Sequence, residues 1–268
     1  MHIHFLDPYH PLVSPIHSLD SRAKFILTIA FILTASLTPF AAWPVYILLF
    51  AVILSVEILS SLGIGFVLKR ATLALPFVLA ALPVIFTIPG QTLFTIPLGS
   101  WVLTASVEGL ERFISIALKS WLSVQAAIIL SASTPFPELL QAMRAVGIPR
   151  LLVGMFGLMW RYLFVLVDEA LRMMRARSAR SGEVDKNGGK VGGSLAWRAR
   201  VTGGMAGSLF LRGFERSERI YTAMLSRGYD GEVRVMHLPP FSSRSWFVLI
   251  CGLAFLGFLL LFGNLFFG

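Results

Sequence analysis

Cysteine is almost missing from this chain. One thiol, Cys251, among 268 residues makes a disulfide within the chain impossible, and its apolar surroundings argue against a metal–thiolate cluster. Charge is scarce as well: Asp, Glu, Lys and Arg make up 14% of the residues, where a soluble domain carries about 25%. Apolar residues reach 56% and the mean hydropathy is +0.77. So much apolar surface cannot be hidden from water in a chain of this length, so the bilayer is its solvent. Acids are rarer than bases, 14 against 23, for a net charge of +9. In so apolar a chain that excess does not point to nucleic acid; cytoplasmic loops of membrane proteins are rich in Lys and Arg. Several catalytic patterns are also missing. There is no His-Glu-x-x-His and no Gly-x-Ser-x-Gly, which disfavours a membrane hydrolase or protease. Gly188-Gly189-Lys190-Val191-Gly192-Gly193 is not a phosphate loop, because Val191 stands where Ser or Thr is needed and no strand precedes it.

What is present is a series of apolar runs. A polar segment, 1–22, comes first. Its histidines, His2, His4, His10 and His17, lack ligand-like spacing on one helix or loop, so they read as solvated residues rather than a metal site. Asp20 or Ser21 caps the helix that follows. Residues 25–38 form a short first span. A cleaved leader is the rival for this run, but the polar segment before it is long and further spans follow at once. Residues 43–60 are a second span, with Trp43 and Tyr46 as interfacial aromatics. Residues 71–88 are a third, bent by Pro76 and Pro83. Residues 89–103 are uncharged and turn-rich. Residues 108–131 are a fourth, on which Glu108, Arg112, Ser115, Lys119 and Ser123 share one face. That face is a polar seam against protein, with an ion path as the sharper alternative. Residues 138–146 form a short amphipathic helix, with Thr134 near its start and Gly147 near its end as caps. Residues 246–262 are the last span.

Between those lies the basic block. Of the 23 Lys and Arg residues, 13 fall between Arg172 and Arg234. The positive-inside rule then sets the topology. With a cytoplasmic N-terminus, Lys69 and Arg70 are inside, and the connections at 38–43 and 89–103, which hold no Lys or Arg, are outside. Were 151–167 to cross, the basic block would lie outside. Residues 151–180 are therefore expected as one long helix at the inner face that does not cross. Arg161, which costs about 3 kcal/mol at the centre of a bilayer, then has an ordinary place. A glycine-rich connector, 182–193, leads to a second long helix, 206–227, with Phe210, Phe214 and Tyr221 in its apolar stripe and Glu215–Arg219 as an i,i+4 pair. The C-terminus is then outside.

The expectation is an all-α integral membrane protein of about five transmembrane helices plus a cytoplasmic helical module. Its parts are 1–133, a leader with four spans; 134–243, the module; and 244–268, the last span. The two long helices end alike, in Ala179-Arg180-Ser181 and Ser226-Arg227-Gly228. A guanidinium is a permanently charged, planar fork of donors suited to a carboxylate, and small neighbours let it enter a groove closely. Two such tips fit a partner with two equivalent grooves. The plainer reading is that Arg180 and Arg227 are solvated cations favoured at helix C-termini.

Four stretches carry a resemblance to a known family: Ser14-Pro15-Ile16-His17-Ser18-Leu19-Asp20-Ser21-Arg22-Ala23-Lys24; Thr134-Pro135-Phe136-Pro137-Glu138-Leu139-Leu140; Arg161 to Ala170; and Glu218 to Tyr229. The chain resembles the transmembrane component of energy-coupling-factor transporters, in the cobalt-type branch. The resemblance implies a subunit that couples a substrate-binding membrane subunit, with a small accessory membrane subunit, to a pair of ATP-binding-cassette ATPases. It implies that Ala179-Arg180-Ser181 and Ser226-Arg227-Gly228 match the two Ala-Arg-Gly motifs that insert into the ATPases. Ser181 and Ser226 depart from that pattern but are small. Arg161, Glu169, Glu218, Arg219 and Tyr221 fall in the matching stretches and are expected to support the tips. Cobalt is the implied cargo, nickel next, with a vitamin or other substrate as the alternative; the cargo would be held by another subunit. No cofactor and no catalysis by this chain are expected. Two rivals stand beside this: a permease forming its own substrate path, and a membrane-embedded enzyme.

Overall fold

The computed structural model describes residues 9–98, 101–180, 194–231 and 240–267. They form ten helices and one β-hairpin, among the described residues. Contacts divide them into two compact units: 148–237, and the bundle of 2–147 with 238–268.

In the bundle, α1 (Ser21–Leu37) starts at Asp20, whose carboxylate accepts the Arg22 N–H at 2.9 Å. α2 (Trp43–Ser60) begins on Trp43-Pro44, where a proline suits the first turn. The third apolar run is more broken than the two-proline bend expected of it. It starts early, as α3 (Ile64–Ala71), tightens into a 3-10 turn at Thr72–Ala74, and continues as α4 (Leu75–Leu79) and α5 (Val84–Thr87). Pro76 and Pro83 each sit at the start of a new piece, where a missing N–H does no harm. Residues expected only as a turn-rich connection form an antiparallel hairpin, β1 (Thr92–Leu98) and β2 (Trp101–Ser106), with Ile96 opposite Leu103. α6 (Val107–Ser133) follows, capped by Ser106, whose Oγ accepts the Gly109 N–H at 3.0 Å. α7 (Phe136–Ala145) packs on α1, so the unit boundary falls at Gly147 rather than at 134. Its N-cap is Pro135; Thr134, expected there, has no hydrogen bond at its Oγ. α10 (Ser243–Phe267) packs on α1 and α2.

Phe31, Val45, Leu49, Ile53, Leu122 and Leu256 make the heart of the core. Outside it the bundle stays apolar: Ile47, Phe247, Phe258 and Leu261 are more than 60% exposed, as faces that meet lipid rather than water are. By length and composition five segments suffice to cross a bilayer: 43–60, 64–87, 107–133, 150–180 and 243–267. This set differs from the sequence expectation at two places. α1 is too short for it at 17 residues, about 25 Å of helix, yet it packs against α6, α7 and α10. α8 (Arg150–Arg180) is long and apolar enough, yet none of its residues is buried.

The second unit is α8 with α9 (Leu195–Leu225). α9 begins eleven residues before the expected 206. Ser194 caps it, its Oγ accepting the Trp197 N–H at 3.3 Å, and Gly203, Gly204 and Gly207 lie within the helix.

Candidate functional site

α8 and α9 run antiparallel. Glu169 accepts a hydrogen bond from Arg212 at 2.6 Å, Arg177 donates to the Thr202 hydroxyl at 3.2 Å, and Leu166 lies 3.5 Å from where a Cβ on Gly213 would be. As one residue number rises its partner's falls. An apolar groove lined by Tyr162, Leu166, Phe210, Phe214 and Ile220 runs along the pair. Arg172 joins Glu169 from the side at 3.6 Å, so one carboxylate serves two guanidinium groups.

This arrangement puts the two arginine tips at opposite ends. Ala179 and Arg180 close α8, level with the first turns of α9, while Arg227 lies beyond the far end of α9. About 27 residues of helix separate those levels, roughly 40 Å. Both arginines are exposed. Ser181 lies outside the described residues.

The second tip has a defined backbone. The Gly228 N–H donates to the Leu225 carbonyl at 2.9 Å and the Tyr229 N–H to Met224 at 3.1 Å. Those two bonds are the Schellman motif, with Gly228 at φ +79° in the left-handed region that glycine adopts without a Cβ clash. Arg227 is the last residue before that reversal, and Ser226, also exposed, turns its hydroxyl back to the Ala223 carbonyl at 2.9 Å. Glu218, Arg219 and Ser226 line one shallow depression with Glu215 and Thr222. Tyr221 is 56% exposed. The expected Glu215–Arg219 ion pair is not among those formed by the described residues. Arg161 is exposed and lies 6.0 Å from the Tyr162 ring centroid. Of the residues expected to support the tips, Glu169 joins the two helices, and Glu218 and Arg219 lie beside the second tip. Arg212 and Thr202, which complete the cross-links, carry no signal in the sequence beyond their polarity.

The polar face of α6 contacts neighbouring segments of the bundle, although Glu108 and Arg112 stay exposed. Lys119 Nζ donates to the carbonyls of Ser36 and Thr38 at the end of α1, and lies 4.6 Å from the Phe40 ring centroid. Ser115 accepts the Ala41 N–H at 3.2 Å, Arg112 stands over Phe40, and Glu108 accepts the Gln91 N–H at 2.9 Å. Lys119, Ser115 and Arg112 thus tie down the turn between α1 and α2, where Ala41 holds φ +62°, while Glu108 holds the entry to the hairpin.

At the opposite end of the bundle two of the sequence stretches meet. Lys24 is 8% exposed, and its Nζ donates to the Ser133 carbonyl at 3.1 Å, with Asp20 and Glu138 near enough to act on its charge. The His10 N–H donates to the Ala132 carbonyl at 3.0 Å. His17 lies between the Ser14 hydroxyl, 2.7 Å from Nδ1, and the His10 carbonyl, 3.1 Å from Nε2. A carbonyl only accepts, so Nε2 carries the proton and Nδ1 accepts from Ser14. Burial lowers the His17 pKa, the His10 carbonyl acts against that, and the Lys24 charge adds to the lowering. His2 and His4 lie outside the described residues. Among the described residues no three His, Cys, Asp or Glu side chains group as metal ligands.

The family model described as cobalt transport protein, CbiQ, matches residues 13–238. The cobalt transport protein CbiQ of Salmonella typhimurium is 27% identical over 224 residues, 79% of this chain and 91% of that one. The energy-coupling factor transporter transmembrane protein EcfT of Staphylococcus aureus is 28% identical over 241 residues, 84% of each. A putative fused cobalt transport protein CbiMQ of Methanocorpusculum labreanum is 24% identical over 261 residues, 92% of this chain and 41% of its own length.

Proposed function

We propose, from the premise that this chain belongs to the CbiQ family of cobalt transport proteins, that it is the coupling subunit of an energy-coupling-factor importer. It is a multi-pass membrane protein. The observation that carries the coupling role is the pair of arginine tips at opposite ends of one antiparallel helix pair. Two equal, well-separated grooves on an ATPase dimer are the partner such a pair fits. Each guanidinium offers a charged, bidentate donor set to a groove carboxylate, and the residues beside it are small enough not to hold it off. A displacement of either groove then pulls on a helix about 46 Å long. Glu169, Arg212 and Arg177 pass that pull to the other helix.

The same pairing supports a place for the module at the cytoplasmic face. The apolar half of α8 lies along the part of α9 that contains Arg216 and Arg219, and α9 is not among the described helices apolar enough to cross. Sinking α8 into the hydrocarbon would drag those charges with it, at about 2.5–3.5 kcal/mol for each. The N-terminus is then cytoplasmic and the C-terminus outside. ATP is hydrolysed by the partner, and a further membrane subunit binds the cargo. Cobalt is the cargo that the family and two of the relatives name, with nickel next in order.

Replacing both tip cations, Arg180→Glu with Arg227→Glu, is expected to abolish cobalt uptake by the assembled transporter while the chain still inserts in the membrane. Uptake at the parental rate overturns the coupling role.

A further inference from the structure

Four helices of the bundle, α1, α2, α6 and α10, line a half-open cavity of about 250 Å³. Its shape follows from the levels at which the helices meet. Lys24 meets Ser133 at one end. Leu27 is level with Gly252, where an added Cβ would approach its Cδ2 to 2.5 Å. Phe31, Val52, Ala126 and Leu256 line the other end. From Lys24 to Phe31 is seven residues of helix, about 10 Å. The cavity is therefore a slot along the bundle axis, and it is polar only at the Lys24 end. That end also reaches Ile16 and Leu19, which precede α1 and so lie towards the membrane surface.

The ends differ in chemistry as the two parts of a membrane lipid do. An apolar slot of this size is not a place for water, which needs several polar partners. In a bilayer the apolar molecule at hand is an acyl chain. At the polar end Lys24 spends one N–H on Ser133 and has two more to give. Asp20 and Glu138 stand close to it. Arg22 pairs with Asp20 at 3.8 Å, and this set of two cations and two carboxylates complements a phosphate with an ammonium beside it.

We propose that the slot binds one amine-bearing phospholipid, with an acyl chain laid from Lys24 towards Phe31 and its phosphate on Lys24 Nζ. The lipid is a structural ligand that fills the junction of α1, α2, α6 and α10. Ala126→Phe and Val52→Phe place a ring in the slot from two different helices. Lys24→Met keeps the length of the side chain and removes the charge. Phe258→Ala, on a face 62% exposed, is the control.

The test is native mass spectrometry of the full chain in mild detergent, titrated with phosphatidylethanolamine and, separately, with diacylglycerol of the same chains. The parent and Phe258→Ala are expected to retain one phosphatidylethanolamine when detergent has stripped the rest. Each filled variant is expected to bind it about tenfold more weakly or worse, and Lys24→Met to lose the preference for it over diacylglycerol. Two results overturn the proposal: unchanged retention in both filled variants, or no preference for phosphatidylethanolamine in the parent. Should one filled variant not fold, the headgroup preference of the parent still decides.

Discussion

His17 shows how one side chain holds the polar segment before α1 together, by bonds to Ser14 and His10. Its two ring nitrogens are matched to a donor and an acceptor only while the ring is neutral. Protonating Nδ1 removes the acceptor that the Ser14 hydroxyl uses. Its pKa is lowered in the fold, chiefly by burial, so the unfolded chain takes up the proton first as pH falls. The contribution of His17 is fully present above the unfolded value of about 6.5 and is lost as pH falls through the lower folded value. Thermal unfolding between pH 8 and pH 5 is therefore expected to show a midpoint that drops below about pH 6.5, with a smaller drop in His17→Gln. An equal drop in both proteins would rule this out. Other residues were half legible. The period of α6 puts Glu108, Arg112, Ser115 and Lys119 on one face, but nothing in their spacing tells that the last three meet the turn at Thr38 to Ala41 and that Glu108 meets Gln91. Glu57, 1% exposed and without a hydrogen-bond partner at either oxygen, is the one charged residue of the run 43–60. Burial of a single polar residue depends on its neighbours from other helices.

Helices and their ends follow local rules, which packing between helices can override. α2 begins and ends where its tryptophan, proline and serine place it, and the reversal after α9 is written in Gly228. Gly228→Ala is expected to cost about 1 kcal/mol, because a Cβ is disfavoured at positive φ, and to speed amide exchange at Tyr229. Unchanged exchange there would show that the reversal does not depend on glycine. α9 starts before the expected 206 because the cap at Ser194 and packing on α8 outweigh the weak helix propensity of Gly203, Gly204 and Gly207. The link between α8 and α9 can be weighed in a double-mutant cycle of Glu169→Ala and Arg212→Ala. Arg212 is 59% exposed, so solvent screens the pair, and the coupling energy is expected at about 0.2–1 kcal/mol. Cobalt uptake in Glu169→Ala should fall further than that small energy suggests, if motion passes through the pair; uptake unchanged in both single variants would leave the pair no part in transmission.

At the scale of the whole molecule the proposed function depends on which side of the membrane carries the helix pair. In a Cys251→Ala background, a cysteine placed at Asn187 is expected to react with a membrane-impermeant maleimide only after the cytoplasmic face is opened, and a cysteine at Gln91 to react from outside. Labelling of position 187 in intact cells would remove the coupling role along with the topology. Apolar content, the order of the spans and the side on which cations gather are sums over many residues, and the bilayer acts on each of those residues much as it would on an isolated segment. That is why the chain alone determined the membrane class, the basic block and the two arginine-tipped ends. The pairing of Glu169 with Arg212, the slot that ends at Lys24 and the division after Gly147 join residues far apart along the chain. Their energies exist only once separate helices touch, so only the tertiary structure decided them.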